Sequence, residues 1–196
     1  MNIDSIFKFV TLINKFRDVE RLIYATGLDR NENDAEHSYQ LAMTAWYILS
    51  EGKYTLNKDL IIKYALVHDF VEVYAGDTWF YRSESDNIEK KEREKQSAIR
   101  LNKEFPEFPD FHETIEDYEN QIDNEGRFVY ALDKLLPIIN VYLDKGRNWK
   151  KHKVTLQMLI DGKTTKIAVS PEIEAYYKEL LLILEEHKDM FHVEQD

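Results

Sequence analysis

The chain has 196 residues, 43% of them hydrophobic, and a formal net charge of −11. This length and apolar content suffice for one domain with a sizeable core. The acidic balance argues against extended contact with a nucleic-acid polymer, because such contact needs a concentrated basic face. The sequence contains no cysteine, so any metal must be held by histidine and carboxylate ligands.

The composition also bears on domain organisation and location. The chain has only 4 prolines and 6 glycines and no low-complexity linker, so we expect a single domain over residues 1–196. It lacks a run of about 18 apolar residues and a basic, apolar leader. We therefore expect a cytoplasmic protein with no membrane partner.

The first quarter of the chain is predicted to be helical. Apolar residues recur at helical spacing in Ile3 to Phe16, which indicates a helix packed on a bundle. Val19 to Tyr24 continues the pattern briefly, and residues 27–33 form a polar loop with turn residues throughout.

A second helix is predicted over Ala35 to Ser50, with Asp34 as its N-cap. His37 falls at the third position of this helix. The positive end of the helix dipole there disfavours imidazolium, so the ring stays neutral and able to bind a metal.

The stretch Leu60 to Asp77 places ionisable groups in an otherwise apolar helical run. At 100° per residue, His68, Asp69 and Glu72 share one arc of roughly 100° and point into the same space. Burying such groups is costly unless they are paired or bind a ligand. A His-Asp pair bonded only to itself is the alternative.

The second half of the chain also reads as helices. Residues 87–105 are strongly charged and should be mostly solvated, and another helix is predicted over residues 110–122. The apolar run Glu125 to Asp144 predicts a buried helix with Asp133 in its middle, where a carboxylate needs a cation or hydrogen-bond donors. Pro137 predicts a kink at Asp133.

The C-terminal quarter is predicted to pack on this core. The segment from Gly146 to Lys166 predicts a loop and a short amphipathic helix, and we assign no chemistry to it. Ser170 and Pro171 open the last helix as N-cap and first-turn proline.

Two imidazoles and two carboxylates thus lie in apolar helices: His37, His68, Asp69 and Asp133. They make a reasonable shell for one divalent metal ion with open positions for water. Mixed nitrogen and oxygen ligands suit Mn, Co, Fe, Ni or Zn, and Mg is also compatible.

The order of these residues resembles the HD-domain phosphohydrolase superfamily, whose ligands follow H...HD...D. The flanking text is similar to the small single-domain branch related to bacterial 5'-deoxynucleotidases, over roughly residues 19–149. The matching strings are ENDAEHS (Glu32 to Ser38), HDFVEVYAGDT (His68 to Thr78), EREKQSA (Glu92 to Ala98) and ALDKLLP (Ala131 to Pro137).

The resemblance implies an all-α, single-domain helical bundle, often a homodimer, that releases phosphate from nucleoside monophosphates with one divalent metal ion. It assigns catalysis to Glu72 and Asp77 and substrate contact to Arg21, which is one residue out of the family spacing. Leu22 stands where the deoxynucleotidase that reads the sugar has Trp, and Trp79 where that enzyme has Pro, so the base and sugar pocket is expected to differ.

The same mechanism follows from the residue types. The metal would lower the pKa of bound water, and Glu72 would orient or deprotonate that water. Asp77 would protonate the leaving oxygen or fix the geometry of the nucleophile. Arg82 and Lys91 are further candidates for binding the substrate phosphate. Two alternatives stay open: another HD-type phosphohydrolase, such as a nucleotide pyrophosphohydrolase or phosphodiesterase, and a metal-binding scaffold without turnover.

Overall fold

The computed structural model describes residues 2–77 and 84–193. Within these ranges the chain is a helical bundle with one small antiparallel hairpin. The helices are α1 (Ile3–Arg17), α2 (Asp34–Glu51), α3 (Lys58–Val67), α4 (Glu72–Ala75), α5 (Glu84–Glu104), α6 (Pro109–Glu119), α7 (Asn124–Leu143), α8 (Arg147–Lys151), α9 (Leu156–Ile167) and α10 (Pro171–Glu186). The hairpin is β1 (Glu20–Tyr24) and β2 (Asn31–Asn33), and a 3-10 turn follows at Lys188–Met190. The predicted all-α class is confirmed.

Helix α7 is the centre of the main core. It is apolar on most of its circumference, as a helix surrounded by other helices must be. Helices α2, α3, α9 and α10 pack around it, and Leu41, Ile61, Leu132 and Leu159 are almost fully buried between them. Helix α7 runs through Pro137 without interruption, so the proline sits inside the helix.

A second, smaller core lies on the other side of α3. Leu12 and Phe16 of α1 pack there against Phe70, Leu101 and Phe111. Phe16 stacks on Phe70 with ring centroids 4.7 Å apart. This core fixes the turn after α3 against α1 and α6, and that turn carries the ionisable residues of the central stretch.

The periodicity of the stretch Leu60 to Asp77 predicts one continuous helix, but the structure contains two helices separated by turns. Helix α3 ends at Val67, and tight turns follow, in which the Phe70 amide donates to the Val67 carbonyl and the Glu72 amide to the Asp69 carbonyl. Helix α4 then begins at Glu72. The tighter winding lets His68 and Asp69 turn toward α2 and α7 while Phe70 and Val71 enter the second core.

The stretch after α1 also differs from the prediction. Glu20–Tyr24 is a strand, because it pairs with β2 and because a distant side chain completes its hydrogen bonding. The Asn148 side chain accepts from the Tyr24 amide at 3.2 Å and donates to the Leu22 carbonyl at 3.0 Å. A partner 124 residues away in the sequence decided this local structure.

The N-cap of α2 is one residue earlier than predicted. The Asn33 side chain accepts from the Glu36 amide at 3.0 Å, and the Glu36 carboxylate accepts from the Asn33 amide at 3.2 Å. This capping box makes Asp34 the first helical residue. Its carboxylate is thereby free to turn inward.

The apolar face predicted for α1 is only partly core. Leu12 and Phe16 are buried, whereas several other apolar residues of α1 remain about half exposed. These are Ile3, Ile6, Phe7, Val10 and Ile13. Among the described residues, no helix combines the length and apolar character that a membrane crossing requires.

Gly146 allows a close approach between the end of α7 and the C-terminal turn. Its φ is +71°, and a Cβ there would lie 2.3 Å from the Met190 carbonyl oxygen. Beside it, Trp149 stacks on Phe191 with centroids 4.1 Å apart. Glycine is therefore needed for both backbone conformation and space.

We expect Gly146→Ala to lower the free energy of unfolding by about 2 to 4 kcal/mol, since backbone strain and a clash add. Gly27→Ala is the matched control, because its φ is +77° but no atom lies within 4 Å of its Cβ position. That variant should lose only about 1 kcal/mol. Urea unfolding of both variants measures the difference, and equal losses would contradict the proposed clash.

Candidate metal centre

Four side chains from three parts of the fold meet at one point. His37 comes from the first turn of α2, His68 and Asp69 from the turn after α3, and Asp133 from the middle of α7. One ligand atom of each lies within 4.8 Å of all the others. Two atoms bonded to one ion at about 2.1 Å are at most about 4.2 Å apart, so this spacing fits a single ion after slight contraction.

The orientation of His68 is set by the backbone. Its Nδ1–H donates to the Ala65 carbonyl at 2.9 Å, so the lone pair of the neutral ring is on Nε2. That Nε2 lies 3.0 Å from Asp69 Oδ2 and 3.7 Å from Asp133 Oδ1. A lone pair facing two carboxylates is repulsive unless a proton or a cation lies between them.

His37 has a similar environment. The ring is fully buried, with Nε2 2.9 Å from Asp133 Oδ1 and Nδ1 3.5 Å from Glu32 Oε2. Burial and the charge of Arg21 lower the pKa of His37, but the hydrogen bond with Asp133 and the nearby carboxylate of Glu32 outweigh them and raise it overall. The acids around this ring thus favour a positive charge at its position.

Several polar atoms of this cluster are buried without a hydrogen bond to any described residue. They include His37 Nδ1, His68 Nε2 and Glu72 Oε2. Such groups cost free energy unless a ligand or ion satisfies them. The donor set, its spacing and these atoms together fit a divalent cation.

Arg21 of β1 holds the acids around the cluster. Its Nη1 lies 2.6 Å from Asp69 Oδ2 and 3.2 Å from Asp34 Oδ1, and its Nε lies 3.4 Å from Glu32 Oε2. Arg21 therefore compensates buried charge in addition to any contact with a ligand. Burial, followed by the charge of Asp69, raises the pKa of Asp34 to about 7, although Arg21 opposes this.

Asp133 is held ionised in a buried helix. Burial alone would raise its pKa, but the charge of Lys134 and the hydrogen bond from His37 keep it well below its usual range. Lys134 Nζ donates to Asp133 Oδ2, while His37 faces the other oxygen. Both oxygens of the carboxylate are thus fixed.

Glu72 lies beside the four-residue cluster at the start of α4. Burial and the negative charge of Asp69 raise its pKa well above the usual range, and Lys90 opposes the shift from 3.1 Å. One carboxylate oxygen accepts from Lys90, and the other is the buried Oε2 noted above. Glu72 also lies close enough to Asp34 and Asp69 to form a second group of possible ligands.

The cluster opens into a cavity of about 570 Å³. His68, Asp69, Glu72, Asp77 and Asp133 line one part of it. Helices α7, α8 and α9, with the connection between α8 and α9, contribute an apolar wall that includes Ile138, Val141, Trp149, Val154 and Leu159. This volume and its mixed lining suit a small organic ligand with a charged end.

The structure brings most of the residues predicted for the site together. The four ligand candidates, Glu72, Asp77, Arg21 and Lys91 all lie in the cluster or line its cavity. Arg82 lies outside the described residues. Sequence reasoning missed Asp34, Lys90, Lys134, Lys163 and Lys166. Lys134 could have been found as the residue next to Asp133, and Lys163 as the one charged residue on the apolar face of its helix.

Comparison with known proteins adds independent information. A family model described as HD domain matches residues 13–174. Human 5'-deoxynucleotidase HDDC2 is 32% identical over 136 residues, which cover 66% of this chain and 63% of the relative. Yeast 5'-deoxynucleotidase YGK1 is 28% identical over 156 residues, covering 72% of this chain and 67% of the relative. The match with the human protein thus spans just under two thirds of its length.

Solved structures agree on the fold. A protein from Magnetospirillum magnetotacticum titled "predicted metal-dependent phosphohydrolase" aligns with a TM-score of 0.82 and 28% identity, over 97% of this chain and 96% of that one. An HD-domain phosphohydrolase from Listeria innocua aligns with a TM-score of 0.65 and 15% identity, over 94% and 92% of the chains. The latter likeness concerns the fold alone.

We expect the protein to bind one divalent ion, and we expect Mn²⁺ added after chelator treatment to raise its melting temperature. His37→Ala and Asp133→Ala should each remove this stabilisation, because each deletes one of four ligand candidates. His112→Ala is the control: its Nε2 contacts the Phe105 carbonyl, away from the cluster. Calorimetric metal titration measures the stoichiometry, and full affinity in His37→Ala would contradict the assignment.

Proposed function

The chain belongs to the HD-domain family, and from this premise we propose that it is a metal-dependent phosphohydrolase acting on nucleoside 5'-monophosphates. One observation carries the proposal: the cluster of His37, His68, Asp69 and Asp133 opens into a ligand-sized cavity beside Glu72. The names of the relatives support a nucleotide substrate. Catalysis by Glu72 and Asp77 is part of this proposal.

His37, His68, Asp69 and Asp133 would hold the divalent ion. When bound, the ion supplies two effects: it lowers the pKa of water, and it polarises a phosphoryl oxygen. The protein supplies the rest. The Ala65 carbonyl fixes the tautomer of His68, and Arg21 holds Asp69 in place.

Glu72 is the proposed general base. Its Oε2 is buried without a hydrogen bond to any described residue, and one of its oxygens lies within 4.8 Å of Asp34 and Asp69, so Glu72 can accept a proton from the attacking water. As the oxygen of that water bonds to phosphorus, the bond from phosphorus to the 5'-oxygen breaks. The leaving oxygen must gain a proton, and Asp77, which also lines the cavity, is the proposed donor. The pair can also exchange these roles.

Cationic side chains would bind the phosphate. Arg21 lines the cavity although its guanidinium also contacts Asp34 and Asp69, so it can reach a phosphoryl oxygen without leaving the acids. Lys91 lines the same cavity. The contribution of Arg82 to substrate binding stays a prediction.

We expect orthophosphate release from ribo- or deoxyribonucleoside 5'-monophosphates by metal-stripped protein resupplied with Mn²⁺, Co²⁺, Mg²⁺ or Zn²⁺. His68→Ala should abolish it with every ion. Release of pyrophosphate from triphosphates, or ring opening of cyclic nucleotides, would instead identify another HD-type phosphohydrolase. Metal binding without any release would indicate a scaffold.

Glu72→Gln keeps the shape of the side chain but removes the base, so we expect kcat to fall by about 10² to 10⁴ with metal affinity retained. Glu92→Gln, on an exposed part of α5, should leave kcat unchanged. Steady-state kinetics and metal titration of both variants decide the assignment. Normal turnover by Glu72→Gln would refute it.

We also propose that the protein is a homodimer through α1 and α2. These helices pack against each other and leave an apolar surface exposed. On α1 it consists of Ile3, Ile6, Phe7, Val10 and Ile13, and on α2 of Tyr39, Met43, Trp46 and Tyr47. Side chains of this size, 42% to 69% exposed, offer on the order of 1,000 Å², which reaches the ~800 Å² per partner of a standard interface.

A second copy is the occupant that this surface fits best, because a two-fold axis brings the same apolar residues against one another. We expect Trp46→Glu to convert the dimer into monomer in sedimentation experiments. Leu182→Glu, at a position 70% exposed on α10, should leave the dimer intact. A wild-type protein that sediments as a monomer at micromolar concentration would rule the interface out.

The organisation as one domain over residues 1–196 and the cytoplasmic location stay predictions of the sequence. Limited proteolysis that yields no stable fragment would support the first. Fractionation of cells that express the protein tests the second.

A further inference from the structure

Helix α9 carries a lysine where its packing pattern calls for an apolar residue. The buried residues of this helix are Leu156, Leu159, Lys163 and Ile167, which follow one another at helical spacing. Lys163 is only 9% exposed and lines the cavity that holds the candidate metal centre. A cationic side chain that lines a cavity can form a charge-assisted hydrogen bond with an anionic ligand that enters it.

Two more lysines line the same cavity near it. Lys134 of α7 donates to Asp133 at the metal centre, and Lys166 is one turn beyond Lys163 on α9. Burial, followed by the charge of Lys134, lowers the pKa of Lys163 to about 7. The pKa of Lys166 is lowered by the same two causes. An anion between these lysines would relieve their mutual repulsion.

The charge of the cavity supports the same ligand class. Although the chain carries −11, six cationic and six acidic side chains line the cavity, so the lining lacks the acidic excess of the whole chain. The cations are Arg21, Lys90, Lys91, Lys134, Lys163 and Lys166, and the acids are Asp69, Glu72, Asp77, Glu94, Glu119 and Asp133. One divalent ion would add two positive charges to this lining, which complement one phosphate dianion.

We propose that Lys163, with Lys134 and Lys166, binds the phosphoryl dianion of the substrate and favours phosphomonoesters over phosphodiesters. The inference rests on the proposed phosphohydrolase function and assigns it phosphate-binding residues. A monoester carries two negative charges near neutral pH and a diester only one. Several cationic side chains in the cavity therefore favour the monoester.

Lys163→Met tests the proposal, because methionine keeps the length of the side chain and suits a core position. We expect the affinity of the Mn²⁺-loaded protein for inorganic phosphate, measured by titration calorimetry, to fall about 10-fold or more. The KM for a nucleoside monophosphate should rise by a similar factor. The melting temperature without phosphate should stay equal or rise, since a buried charge is removed. Weaker binding by an equally stable protein cannot be attributed to unfolding.

Two companion variants sharpen the result. Lys163→Arg keeps the charge and should retain part of the phosphate affinity, whereas Lys153→Met, which removes a lysine outside the cavity, should change nothing. The ratio of activity on p-nitrophenyl phosphate to activity on bis(p-nitrophenyl) phosphate should fall in Lys163→Met. Metal affinity should be the same in all three variants.

The outcomes separate this inference from the proposed function. If wild-type protein hydrolyses nucleotides while Lys163→Met changes neither KM nor phosphate affinity, the Lys163 assignment is wrong and the function stands. If phosphate binds in a Lys163-dependent manner but no nucleotide is hydrolysed, the anion site stands and the function falls. A wild-type protein that binds no phosphate at millimolar concentration overturns the inference.

Discussion

The hydrogen bond between His37 and Asp133, 2.9 Å long and fully buried, ties the start of α2 to the middle of α7. It places an ionised carboxylate inside the main core, where ionisation survives only if positive charge is supplied close by. Lys134 supplies part of that charge. The spacing of His68 and Asp69 around the same point leaves room for a divalent ion to supply the remainder. Much of the surrounding structure can be understood as compensation for this buried charge.

Basic residues around the metal centre also compensate the charge of the neighbouring acids. Arg21 holds Asp69 and Asp34 from the hairpin side, and Lys90 holds Glu72 from α5. Asp34, Asp69 and Glu72 are thus each matched by a basic residue from another element. A network of this kind couples distant elements, because moving any one of them would leave a buried charge without its partner. The hairpin, which contributes little to either core, is retained in place by Arg21 and by the hydrogen bonds of Asn148.

The same logic explains how an acidic chain can accept an acidic ligand. The excess of acidic residues lies outside the cavity, which is lined by as many basic as acidic side chains. The apolar wall beside the lysines offers a surface for a flat organic group, and the metal centre lies at the other part of the cavity, where the reaction would occur. Membership of the HD-domain family accounts for the metal centre, whereas the residues that line the cavity determine which ligand fits it.

The sequence by itself determined the helical class, the four ligand candidates and the presence of Glu72 beside them. Helical periodicity and the cost of burying charge are local properties that one chain reveals without a structure. Three features depended on tertiary structure. Glu20–Tyr24 is a strand because β2 and Asn148 complete its hydrogen bonds. The run after Val67 is wound more tightly because Phe70 and Val71 enter the second core while His68 and Asp69 face the metal centre. Lys163, in a segment to which the sequence suggested no chemistry, reached the cavity only because α9 packs on α7. Contacts between residues far apart in the chain decide such placements, and local pattern does not encode them.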